Sequence, residues 1–441
     1  MLAGDGRAGR TLALAAAIVG ALAWSALSAS DPADFVTVAR GDPNTKPWDA
    51  AAISISANGR YVAFTSNARL TAVDQNTVSD IYVLDRQMGG VSLETPHSGP
   101  GARSATAPHL SATGRFLIYE TPENGSGPPV QLLMLRDRQS GVTCSLPAAA
   151  GTPAFSSRGA RLSANGDRIV FSSTGMIVEG TDANGGAEDV YLFDVGTERY
   201  QRVSLDNTGR QPAAGMSYAP AISADGRFVA FTSSAILDAS PATPERRSAF
   251  RNIYLRDTLR GATLRISVSE SGRQSNGSSY EAAISADGRY VAFVSEATNL
   301  MKQRDTNRAP DVYLRDTIRN VTELVSAGVA GNPANGTSAH PSVSADGRIV
   351  VFQSDASNLV CGVRCADGER DINLVADIFV RNRESGTTSR ISRGATPWME
   401  PSVGPAIDGT GTVVAFSSRH PRSATDDTDD FDLFVWSVQR F

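Results

Sequence analysis

Hydrophobic and polar positions along this chain fall into one recurring phrase. A small polar turn, Ser-Ala-x-Gly with Asn or Asp at x in most copies, leads into a run of alternating β-branched and aromatic residues. The phrase spans Ile55 to Phe64, Leu110 to Tyr119, Leu162 to Phe171, Ile222 to Phe231, Ile284 to Phe293 and Val343 to Phe352. A degenerate seventh copy runs from Ile407 to Phe416, with Asp408 at the serine position and Thr410 at the Asn/Asp position, which predicts a weaker turn there. The anchor glycines, Gly59, Gly114, Gly166, Gly226, Gly288, Gly347 and Gly411, are spaced by 55, 52, 60, 62, 59 and 64 residues. Self-similarity at a nearly fixed period marks a repeat architecture.

The Asn/Asp-Gly pair is a hairpin signal, because glycine supplies the positive φ that a tight turn between two strands requires. Each copy carries a second apolar run downstream: Asp80 to Asp85, Val130 to Leu135, Asp189 to Asp194, Asn252 to Asp257, Asp311 to Asp316, Asp377 to Asn382 and Asp432 to Ser437. A third alternating run follows, as in Leu264 to Val268 and Val321 to Val325. One repeat therefore holds four strands, and four strands in such a unit make a propeller blade. The predicted fold is all-β: a seven-bladed β-propeller of four-stranded blades. The last copy ends after its third strand, and Asp34 to Arg40 has the pattern of a fourth, so that N-terminal strand is expected to complete blade seven and close the ring.

Composition agrees with short strands and tight turns: 441 residues include 40 Gly, 22 Pro, 16 Phe and 10 Tyr. The formal charge is −5 and only Lys46 and Lys302 are lysines, so nucleic acid is excluded as the expected partner. Arg7 and Arg10 precede an apolar run from Thr11 to Leu27, then Ser28, Ala29 and Ser30. That order predicts a signal peptide over residues 1–30, cleaved after Ser28 or Ser30, or an uncleaved N-terminal anchor as the other reading. Both place the propeller, residues 31–441, outside the cytoplasm, in the periplasm or secreted; a membrane partner follows only if the segment is uncleaved. Cys361 and Cys365 suit a local disulfide in an oxidising compartment, and two thiols without nearby histidines make an incomplete zinc site. Cys144 is left over and expected to be buried.

The Ser-Ala-Asp-Gly-Arg phrase followed by a Val-Ala-Phe strand resembles the WD40-like propeller repeats of the TolB type, over about residues 34 to 441. The resemblance implies a periplasmic propeller. TolB propellers usually have six blades and follow an α/β domain, and this chain shows seven copies and no such domain ahead of them.

Candidate chemistry concentrates between the second and third strands. Acids recur with a polar residue two after the first: Asp74, Asn76 and Asp80; Asp182, Asn184 and Asp189; Asp305, Asn307 and Asp311; Asp371, Asn373 and Asp377; and Asp426, Thr428, Asp430 and Asp432. Hard oxygens at i and i+2 on a turning loop can converge on calcium. The same residues also brace loops by side-chain to backbone bonds without an ion. No bidentate glutamate stands at a fixed downstream position. Asp and Gly are adjacent in the repeat and the strand ends in Phe, unlike the Asp-box of sialidase-type propellers. No Gly-x-Ser-x-Gly elbow is present, which speaks against a serine hydrolase. Of four histidines, His97, His109, His340 and His420, none is paired at metal spacing. His109 and His340 fall five and seven residues before their glycines, on innermost strands beside the channel.

The resulting expectation is an exported interaction scaffold for an envelope protein or glycan. Its contacts are sought in the loops Ala235 to Arg251 and Ser357 to Val375. No catalytic residue is assigned; the alternative is a carbohydrate-active enzyme with its site at the channel mouth.

Overall fold

The computed structural model describes residues 36–37, 53–96, 102–123, 130–147, 156–178, 182–238, 250–301, 305, 307–329, 331–360, 371, 373–392, 400–419 and 432–437, and the structural statements below concern these. They form 28 strands in seven four-stranded antiparallel sheets, with no helix among them. The expected seven-bladed propeller is what forms. Blade four is typical: Ser217–Ile222, Phe228–Ser233, Asn252–Asp257 and Ala262–Arg265 run from the channel to the rim. In blade seven, Val36–Thr37 lies antiparallel on Asp432–Ser437, with Val36 opposite Val435 and Thr37 opposite Phe434. The N-terminal strand closes the ring.

The repeated phrase makes the contacts between blades as well as the turn within each. The N–H of Ala57 donates to the Ala112 carbonyl, and the same bond continues through Ala164, Ala224, Ala286, Ala345 and Gly409. Gly409 donates back to Ala57, so seven bonds of 2.8–3.0 Å circle the channel. Each anchor glycine, at φ between 68° and 78°, also lies on the second strand of the preceding blade. A Cβ on Gly166 would stand 2.6 Å from Phe116, and one on Gly59 would stand 2.8 Å from Val413 of blade seven.

Cross-strand aromatic pairs fill the blades. Phe64–Tyr82, Phe171–Tyr191, Phe231–Tyr254, Phe293–Tyr313, Phe352–Phe379 and Phe416–Phe434 stack with centroids 5.4–6.2 Å apart, all fully buried. Valines and leucines of adjacent blades, such as Val170 and Leu192 against Val229 and Phe231, make the core between them.

Three expectations are corrected. In blade two the third strand is Gln131–Asp137, and its Asp137, two residues past Leu135, takes the clamp from Arg115 at 2.7 Å that Asp85 takes from Arg60. The run of leucines concealed that register. The seventh turn is not weak, because the Asp408 carboxylate accepts the N–H groups of Thr412 and Val413 at 2.8 Å, where a serine hydroxyl serves the other blades. Cys144 is exposed on the outermost strand of blade two, Thr143–Ser145. The apolar stretch Thr11 to Leu27, its flanking serines, Cys361 and Cys365 lie outside the described residues, among which no helix is long and apolar enough to cross a membrane.

Two variants test this closure. Gly347→Ala forces a positive φ on alanine and drives its Cβ into Tyr290, and should lose about 2 kcal/mol or more in urea denaturation. Removing residues 34–40 should lower the melting temperature, and a truncated chain that melts like the full one would rule out closure by this strand.

Candidate functional site

Antiparallel order fixes what lies at each end of the channel. The Ala-x-Gly turns and the turns between third and fourth strands share one end; the loops between second and third strands and the blade-to-blade connections share the other. At that second end, polar side chains gather around the mouth from blades three to six. Arg158 holds Glu188 with two bonds of 2.8 and 2.5 Å, yet its side chain stays 64% exposed. Arg251 donates to the Tyr218 hydroxyl at 3.2 Å and lies 5.0 Å over the ring of Tyr280. One residue further in, His340 donates its backbone N–H to Glu281 at 2.9 Å and sets its imidazole 3.4 Å from the same oxygen.

Glu281 and His340 sit at a bulge in the innermost strand with φ of 55° and 51°. Glycine takes this place in blades three and seven, as Gly159 and Gly404. A side chain there costs roughly 1–2 kcal/mol relative to glycine. Sequence reading missed Arg158, Tyr218, Tyr280 and Glu281, and included Arg251 only as the end of the loop from Ala235. The signal was present, since Arg158, Tyr218 and Tyr280 all stand eight residues before an anchor glycine, in the same column of the repeat.

The Asp and Asn loops come together as hydrogen-bonded braces. In blade five the Asn307 backbone N–H donates to Asp305 at 3.0 Å, its side-chain amide donates to Asp311 at 2.7 Å, and Ser326 donates to the other Asp311 oxygen at 2.6 Å. Blade one repeats this with Asp74, Asn76, Asp80 and Thr95, the Tyr82 hydroxyl donating to Asp74. In blade three Gln211 bridges Asp182 and Asp189 at 3.0 and 2.7 Å, and Asn184 turns back to Asp182. In blade six Asn373 and Ser392 hold Asp377, while Arg390 lies 3.3 Å from Asp371 and 3.2 Å from Asp377. Blade four has an unforeseen equivalent, Asp238, paired with Arg265 at 2.6 Å. Asp432 is buried at the start of its strand; Asp426, Thr428 and Asp430 lie outside the described residues. No three His, Cys, Asp or Glu side chains among the described residues gather closely enough to hold a metal ion.

The blades differ in what faces these acids. Opposite Tyr191, Tyr254 and Phe379, the fourth strand supplies Arg202, Arg265 and Arg390; opposite Tyr82 and Tyr313 it supplies Leu93 and Leu324. Burial, and then the neighbouring carboxylate, push Asp311 and Asp80 above the ordinary carboxylate range, with no arginine opposing the shift.

His109 does not face His340. It lies in the channel wall, where its Nδ1 accepts the Leu162 N–H at 3.2 Å, and burial, helped by Arg161, lowers its pKa to about 3. Of the long loops, residues 239–249, 361–370 and 372 lie outside the described residues.

No family model and no curated protein matches this sequence. Solved structures do. An oligogalacturonate lyase from Vibrio parahaemolyticus shares 13% identity over 92% of this chain and 97% of its own, with a TM-score of 0.54. The β-propeller domain of the Trilobed protease from Pyrococcus furiosus shares 12% over 89% of this chain and 94% of its own, at 0.52. TolB from Acinetobacter baumannii shares 14% over 80% and 67%, at 0.42. The likeness is one of fold. This propeller is built from the repeat that resembles TolB, and its site has to be argued from its own side chains.

A carboxyl whose pKa is raised on folding holds more protons folded than unfolded, so stability falls as pH rises from the ordinary carboxylate range toward the raised value. Asp80 and Asp311 should therefore each contribute a decline in melting temperature from mildly acidic to neutral pH, against the rise that His109, lowered on folding, contributes below its ordinary pKa. Leu324→Arg, which copies blades three, four and six, should flatten that decline in calorimetry. Calcium that raised the melt of the parent chain but not of this variant would instead put a cation between the carboxylates.

Proposed function

We infer that this chain is an exported binding module whose envelope ligand, a glycan or a protein segment, seats at the channel mouth on the face carrying the second-to-third-strand loops. The observation that carries this reading is the row Tyr218, Arg251 and Tyr280 beside the strained Glu281 and His340. Half-buried aromatic rings held by a guanidinium offer flat apolar surface with polar edges, which suits a sugar ring or an aromatic or acidic peptide. The left-handed backbone belongs to the column, since Ala107 and Ala219 share it in blades two and four; what Glu281 and His340 add there is a carboxylate and an imidazole, which the fold does not need.

The test is retention of envelope polysaccharide and protein fractions on the immobilised mature chain. Tyr280→Ala and Arg251→Gln should weaken retention about tenfold, a loss of about 1.4 kcal/mol. Glu281→Gly and His340→Gly should raise the melting temperature while weakening retention. Equal retention by all four variants would move the site elsewhere.

A carbohydrate-active enzyme is the second reading, favoured by the accessible His340 imidazole beside the Glu281 carboxylate, a pair able to exchange a proton with a substrate. Turnover of oligogalacturonate, lost in His340→Gly, would support it.

A further inference from the structure

Five residues before each anchor glycine, one side chain of the innermost strand reaches toward the next blade. The seven residues are Ser54, His109, Arg161, Ala221, Ala283, Ser342 and Ala406. The task of this position is modest. Ser54 accepts the Leu110 N–H at 3.0 Å and Ser342 accepts the Ile407 N–H at 3.3 Å, while three blades do without an acceptor and carry alanine. His109 performs the same task with Nδ1, which fixes its proton on Nε2 and leaves that N–H without a partner among the described residues.

Arg161 performs no such task. Its Nη1 donates to the neighbouring Ala160 carbonyl at 2.9 Å, and no other hydrogen bond or ion pair of its guanidinium is present among the described residues. Glu120, from the second strand of blade two, accepts the Gly159 N–H at 2.7 Å, a bond that the neutral Gln353 makes to Gly404 in blade six at 3.4 Å. Glu120 is the charge closest in effect to Arg161, yet the two form no ion pair. All three side chains are partly accessible, yet burial lowers Arg161 and His109 and raises Glu120. Open surface combined with a strong burial penalty is what the wall of a narrow channel imposes.

We propose that the channel wall between blades two and three is an oxyanion site, in which the Arg161 guanidinium and the His109 Nε2–H hold a carboxylate or phosphate group of a ligand. A guanidinium with free N–H groups and an adjacent neutral imidazole donor match the paired oxygens of such a group. The chemistry exceeds what the scaffold asks of these positions, as the serines and alanines of the other blades show. The groups facing Glu120 are Arg161, Arg158 and Glu188. A charged Glu120 repels an incoming anion beside Arg161, so anion binding strengthens as Glu120 gains a proton and weakens as pH rises.

The test is thermal denaturation of the full chain in inorganic phosphate and, separately, in acetate, against sodium chloride at equal ionic strength. A saturable rise in melting temperature with one of them is expected, larger at lower pH, and which anion acts identifies the source. Arg161→Gln should weaken the anion about tenfold. His109→Ser, which keeps the acceptor used in blades one and six, should weaken it a few-fold even if the arginine variant folds poorly. Tyr280→Ala should leave the anion response unchanged, which separates this site from the one at the mouth. No rise above chloride with either anion, or an equal rise in Arg161→Gln and His109→Ser, would overturn the proposal.

Discussion

The structure depends on one closed circuit of backbone hydrogen bonds. Seven peptide groups, from Ala57 round to Gly409, each donate to the next blade and accept from the one before. Units linked this way stand about 4.8 Å apart, the spacing of adjacent strands, so the ring is roughly 11 Å across between backbones. No blade can leave the circle without opening two bonds and uncovering the apolar faces it shares with both neighbours. Gly409 shows how tight the circuit is. A Cβ there would stand 3.0 Å from both the Cβ and the carbonyl oxygen of Ala57, so the last blade has glycine where the other six have alanine.

With one end of the channel fixed by six alanines and a glycine, variation is confined to the other end and to a few columns of the innermost strand. Seven copies of one position act as controls on each other. Where serine or alanine suffices for the scaffold, His109 and Arg161 stand out; where glycine or alanine fills the column, Glu281 and His340 stand out; where arginine pairs with the buried acids of blades three and six, Leu93 and Leu324 leave those of blades one and five unanswered. Internal repetition thus separates side chains that hold the blades from side chains that do something else.

The fold was legible in the sequence because its determinants are local and repeated. The Asn/Asp-Gly turn, the following strand and the missing fourth strand of the last copy are all visible within a few residues of each other. Blade two was read two residues out of register because Leu132 to Leu135 is apolar throughout, and only the distant Arg115–Asp137 clamp marks the true frame. The Asp and Asn loops were visible, but their meaning was not. Their partners Ser326, Gln211 and Arg390 arrive from the fourth strand or the next connection, thirteen or more residues away. Asp238 was missed because fourteen residues, not six, separate it from Asn252. The mouth and channel residues required knowing which column of the repeat turns toward a neighbouring blade, and that is set by the curvature of the whole ring.

Blade seven is assembled from both ends of the chain, with Val36–Thr37 beside Asp432–Ser437. A polypeptide that emerges from its N-terminus therefore keeps those first residues waiting for nearly four hundred others. Blades one to six can each form as soon as their own strands are made, leaving an open arc with an unpartnered apolar face at either end until the final strand arrives. Ring completion is then the slow and most aggregation-exposed step of its biogenesis, and the stage at which help from other proteins in its compartment would matter most.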